Sequence, residues 1–197
     1  IIADDMLVSM LTREELKNIF LHEFAHLTGR EEARQHRWNA IAGRVSCMQD
    51  LMDEWRFFAL GEIMLGAVYE RFSMHLEEYS ALISRRMEFE ADRRAAETGD
   101  AQTFVDALAK ISIFGAYMRE DTASPYRMFE NETLPDDPDA IRAAEFDRLY
   151  AQRGAFWRKE LETELPAQVD SHPTFRERRE ALGISEYVCD REEPNAD

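Results

Sequence analysis

Cysteine is nearly absent from this chain. The two present, Cys47 and Cys189, stand far apart without metal-ligand spacing, so no disulfide framework is expected and the redox compartment stays open. Glycine (8) and proline (6) are scarce for 197 residues. With long charged side chains abundant, that scarcity points to a mostly helical protein. Basic residues are in the minority, 24 Lys and Arg against 40 Asp and Glu, for a net charge of −16. Such a balance argues against nucleic acid and against anionic membrane surfaces as partners, and serves solubility first. No run reaches the ~20 apolar residues that span a bilayer. The nearest, 57–69, is short and broken by Glu62; it is expected as a buried helix, with an amphipathic patch against a membrane or partner helix as the other reading. The sequence begins at Ile1 without a Met, so a fragment of a longer protein is expected; no signal peptide is visible, and a trimmed N-terminus would hide one.

What remains is enough for one sizeable core. Residues 1–10 read as part of a strand followed by a turn. Thr12-Arg13-Glu14-Glu15 is a capping box, with Leu11 and Leu16 placed as a hydrophobic staple, and opens a helix over about 13–28 that Gly29 ends. Leu16, Ile19, Phe20, Phe24 and Leu27 form its expected apolar side. A second helix is expected over 31–56, where Trp38, Ile41, Val45, Met48, Met52 and Trp55 recur at three- and four-residue steps. A third runs from about 70 to 98 and ends at Gly99-Asp100. Asp100 can cap a fourth, 101–119, with Phe104, Leu108, Ile111 and Phe114 inward. Turn chemistry marks a loop over 120–137. Further helices are expected over 138–153, 155–165 and, with Pro173 in its first turn and Gly183 as its stop, a short one before an acidic arm from Ile184.

Inside the first helix lies His22-Glu23-Phe24-Ala25-His26. On an α-helix residues four apart stand one above the other, so the two imidazoles can hold a zinc ion. Glu23, between them around the helix, can polarise a zinc-bound water without binding the metal. Two chance histidines are the bland alternative. A catalytic zinc takes a third protein ligand and keeps a position for water. Two carboxylates compete for that place. Glu32 stands where a third histidine would complete H-E-x-x-H-x-x-G-x-x-H after Gly29. Glu88, in Ser84-Arg85-Arg86-Met87-Glu88-Phe89-Glu90-Ala91-Asp92, shares a helix face with Asp92, which would be a second acceptor one turn on, beside Ala91 and Ala95.

Three blocks, in order, carry a resemblance. His22-Glu23-Phe24-Ala25-His26 is the first. Ser84 to Asp92 is similar to S-R-x-x-E-[FY]-x-A-D. Ser171-His172-Pro173, followed by Arg178 and Leu182, is similar to H-P-x-x-x-x-R-x-x-x-L. Together they resemble the zinc metallopeptidases that include the bacterial HtpX heat-shock protease and the CAAX prenyl proteases. The resemblance implies a mainly α, zincin-like metallopeptidase domain of the gluzincin type over 1–183, with at most a small N-terminal edge strand or sheet, followed by the tail 184–197. It implies one zinc ion per chain held by His22, His26 and Glu88, with Glu23 as general base. Asp92 would support a ligand, His172 would lie at the cleft against the substrate or the developing oxyanion, and Arg178 would be structural. The implied activity is hydrolysis of a polypeptide bound extended along a strand edge. A catalytically silent or latent zinc-binding interaction domain on the same scaffold is the alternative. Many members carry transmembrane helices; none reads as one here, which favours a soluble domain and leaves a membrane-anchored parent open.

Overall fold

The structure is a computed structural model, and it describes residues 5–28, 40–41, 43–44, 47, 59–120, 137–166 and 170–189. Its helices are α1 (Asp5–Met10), α2 (Arg13–Thr28), α3 (Ala59–Thr98), α4 (Ala101–Glu120), α5 (Pro138–Thr163) and α6 (Phe175–Ala181). No strand occurs among the described residues, and no helix among them is long and apolar enough to cross a membrane. The mainly helical expectation holds.

Where a strand was expected, residues 5–10 form α1. Met6 and Met10, one turn apart, are both buried, and Ser9 Oγ donates to the Met6 carbonyl at 2.7 Å. In a strand Val8 would share their face equally, but it is only half-buried, as the turn of a helix requires. α3 is a single helix of 40 residues that takes in most of the apolar run at 57–69. Glycine within a helix costs about 1 kcal/mol relative to alanine but does not end it. Of that run the described side chains Ala67 and Val68 are exposed, and the side chains of 57–65 and 69 lie outside the described residues. α5 is likewise continuous across Gly154, where a break was expected. A Cβ there would come 2.9 Å from the Tyr150 ring, so this glycine makes room for an aromatic neighbour one turn back. At α6 the cap is Thr174, not a proline-initiated turn: its hydroxyl accepts from Glu177 N while Glu177 Oε2 accepts from Thr174 N at 2.9 Å. Gly183, at φ +72°, ends that helix in the left-handed conformation.

The chain divides into two compact units, one of residues 1–22, 92–165 and 174–197, the other of 23–91 and 166–173. In the first, α4 packs against α1, α5 and α6. Phe104, Val105, Ile113, Tyr117, Phe146 and Trp157 are almost wholly buried there. Ile113, not the expected Ile111, takes the interior position, since Ile111 is only half-buried. The rings run in a chain, Tyr117 edge-on to Phe146 at 5.2 Å and Phe146 stacked on Tyr150 at 5.6 Å. The start of the expected C-terminal arm belongs to this core. Ile184, Tyr187 and Cys189 pack against it, and Arg179 Nη1 donates to the carbonyls of Ile184 and Ser185 at 2.9 Å each. Residues 190–197, the expected loop over 121–136 and most of the helix expected over 31–56 lie outside the described residues.

α2 buries an unexpected face. Its capping box forms as the sequence predicts, with Thr12 N donating to Glu15 Oε2 at 2.7 Å and Glu15 N to Thr12 Oγ1 at 3.2 Å. Yet Phe20, Phe24 and Leu27 are exposed, while Glu15, Asn18 and His22 are buried. Successive steps of three and four put those polar residues on one side of the helix. Each finds a partner: Glu15 pairs with buried Lys110 of α4 at 2.9 Å, Asn18 Oδ1 accepts from Asp100 N at 3.1 Å, and His22 faces Asp92. Burial of polar groups is tolerated when each is hydrogen-bonded, so partners on α3 and α4 outweigh the apolar residues in deciding which way α2 faces.

Candidate metal centre

Two helices carry the residues singled out by spacing. α2 presents His22 and His26 one turn apart, and α3 presents Glu88 and Asp92 one turn apart.

In the first unit, His22 Nδ1 lies 2.9 Å from Asp92 Oδ1. The His22 ring stacks on Phe104 with centroids 5.6 Å apart. Asp92, only 1% exposed, is also gripped by Arg178 of α6, whose Nε donates to Oδ2 at 2.8 Å and whose Nη2 donates to Oδ1 at 2.5 Å. Burial pushes the Asp92 carboxyl up, but the Arg178 hydrogen bond and then that of His22, with their charges, pull it below the usual carboxylate range. Ionised, Asp92 only accepts. A neutral His22 ring therefore carries its proton on Nδ1 and keeps the Nε2 lone pair for another ligand. Arg178, expected as structural, is what lets this carboxylate stay charged in the interior.

In the second unit, His26 Nε2 lies 3.7 Å from Glu88 Oε1 and His172 Nδ1 lies 3.2 Å from the same oxygen. Glu88 is nearly buried, whereas the His172 side chain is 73% exposed. Arg85 Nη1 reaches the His172 carbonyl at 3.4 Å, tying the segment that bears His172 to α3. The exposed ring of His172, expected to lie at the cleft, stands beside the Glu88 carboxylate. Glu23 is half-buried. Glu32, the rival third ligand, lies outside the described residues.

Sequence reasoning missed the residues that orient this assembly. Asn18 and the Glu15–Lys110 pair match no metal motif, and Lys110 in a helical run reads as ordinary surface. The available signal was a set of polar residues, Glu15, Asn18 and His22, recurring at steps of three and four along one side of the helix beside Ile19.

No solved structure matches this one. The family model described as Peptidase family M48 matches residues 1–184, and with nearly the whole length covered, the chain belongs to that family of metallopeptidases and is a peptide hydrolase.

Proposed function

We propose that this chain is a zinc-dependent endopeptidase in which His22, His26 and Glu88 hold one zinc ion and Glu23 is the general base. The observation that carries the reading is the approach of His26 and Glu88 within the second unit, Nε2 to Oε1 at 3.7 Å, with His22 one helical turn before His26 on α2. The donor chemistry fits the ion. Two imidazole nitrogens and a carboxylate oxygen are a common catalytic zinc set that leaves a position open. The Asp92 carboxylate behind His22 is the kind of partner that fixes the tautomer and raises the basicity of a metal-binding imidazole.

A zinc ion bound there would supply Lewis acidity, lowering the pKa of water toward ~7 and polarising a carbonyl. The chain's own residues do the rest. Glu23, between the two histidines on α2, takes a proton from the attacking water and passes it to the leaving amine. Asp92, held by Arg178, keeps the His22 ring oriented. His172 donates to the substrate carbonyl as it gains charge, a role that its exposure beside Glu88 supports. The substrate is a polypeptide bound extended and read largely through its backbone.

Glu23→Gln is expected to keep zinc at one ion per chain and to lose cleavage of casein by a factor of at least a hundred. Chelator treatment of the unaltered chain should abolish the same cleavage, with recovery on adding zinc back. Cleavage by Glu23→Gln at the parent rate would refute the mechanism.

A further inference from the structure

α2 is the helix that must aim His22, and its apolar residues hold it only in part: Ile19 and Leu21 pack half-buried against the core, while Phe20, Phe24 and Leu27 all stand exposed. Asn18, one turn before His22 on the same face, is only 2% exposed. Its Nδ2 donates back to the Glu14 carbonyl at 2.9 Å, and its Oδ1 accepts from the Asp100 amide at 3.1 Å. The carboxamide thus bridges α2 to the corner between α3 and α4. The fit there is close: a Cβ on Gly99 would fall 1.8 Å from Asn18 Oδ1, so only glycine lets the side chain in. The corner is itself fixed by Gly99 N donating to the Ala95 carbonyl at 2.8 Å and by Asp100 capping α4 through Thr103 N at 2.7 Å.

We propose that Asn18 is a positioning residue for the metal centre: lodged on the bare Cα of Gly99, it sets the rotation of α2 about its own axis and so the direction in which His22 points. The inference rests on the reading of His22 as a metal ligand. Asp92 and Phe104 hold the ring of His22, but neither fixes the backbone that carries it. A side-chain tip at a radius of ~5–6 Å sweeps about 1 Å when its helix turns by about 10°. Metal–ligand distances tolerate only about 0.2 Å. A lock on helix rotation at a residue that is not itself a ligand therefore reaches the metal.

The test uses the full chain. Zinc affinity is measured by competition with a chromophoric chelator, and the cobalt-substituted protein is read by its visible absorption, which reports coordination geometry. Asn18→Ala is expected to weaken zinc binding tenfold or more and to shift the cobalt bands while the far-ultraviolet circular dichroism stays helical. Gly99→Ala, which expels the carboxamide from the other side, should do the same. Asn18→Asp, which keeps an acceptor for the Asp100 amide, should recover most of the affinity. Asp137→Ala, which removes the side-chain cap that accepts from Ala140 N at 3.0 Å at the start of α5, a helix bearing no residue of the centre, serves as the control for general destabilisation and should leave affinity unchanged. Zinc binding by Asn18→Ala and Gly99→Ala equal to that of the unaltered chain would overturn the inference. So would an equal loss in Asp137→Ala, since the effect would then be general loosening. If Asn18→Ala does not fold, Gly99→Ala and Asn18→Asp decide. An unaltered chain that binds no zinc refutes the metal reading itself, a result distinct from all of these.

Discussion

A carboxylate as deeply buried as Asp92 survives ionised only if its charge is answered on more than one side. Arg178 answers with two parallel N–H donors and His22 with a third, and a bidentate guanidinium suits a carboxylate better than an ammonium could. Tyr187 shows the opposite logic. Burial, then the charge of Glu162, pushes its hydroxyl up to about 12 from an ordinary 10.0. The unfolded chain then ionises at a lower pH than the folded one. This contribution to stability is present in full below pH 10 and is lost as pH rises toward 12. The urea midpoint should fall across that window, and Tyr187→Phe should flatten the fall, with tyrosinate absorbance tracking the titration. An identical fall in both proteins would show that another group is responsible.

Among elements, α2 is held unusually. Its buried side is Glu15, Asn18 and His22, and each is matched by a polar group of α3, α4 or their corner. Lys110 is the costly member: an ammonium 1% exposed whose charge is met by Glu15 Oε1 at 2.9 Å and Oε2 at 3.0 Å. Removing one partner of such a pair strands the other and typically costs ~3–5 kcal/mol, whereas replacing both with apolar residues of similar volume is often neutral. Lys110→Met is therefore expected to lower the free energy of unfolding by about that amount, measured in urea. The double change Glu15→Leu with Lys110→Met should recover much of it, less the capping bond that Glu15 gives Thr12 N. Additive losses in the double variant would mean that the pair is not what joins these helices.

At the scale of the whole chain, charge dominates. A formal net charge of −16 on 197 residues repels itself in the folded state more than in the expanded one, and salt screens that repulsion over a Debye length of about 10 Å at 0.1 M. With chelator present to hold metal occupancy constant, the thermal midpoint should rise as salt is raised from low to moderate concentration. A steady fall would show that exposed pairs such as Arg153–Glu120 and Arg93–Glu97 outweigh the repulsion.

Local chemistry was legible before any coordinates. The capping box at Thr12, the Asp100 cap, the stop at Gly183 and the pairing of positions four apart on α2 and α3 follow from the geometry of a helical turn, which residues within a few positions decide. The motif blocks sufficed to place the chain in its family, because metal chemistry restricts which residue types can stand at those spacings. Tertiary structure decided the rest. Periodicity nominated Phe20, Phe24 and Leu27 as the inward side of α2, yet polar partners supplied by distant helices turned the other side in. A helix break was expected at Gly154, but a neighbouring ring fills the space a side chain would need there. Arg178 looked merely structural until Asp92 was seen to depend on it. Burial and ion pairing depend on which remote groups arrive within 3 Å, and no local pattern encodes that.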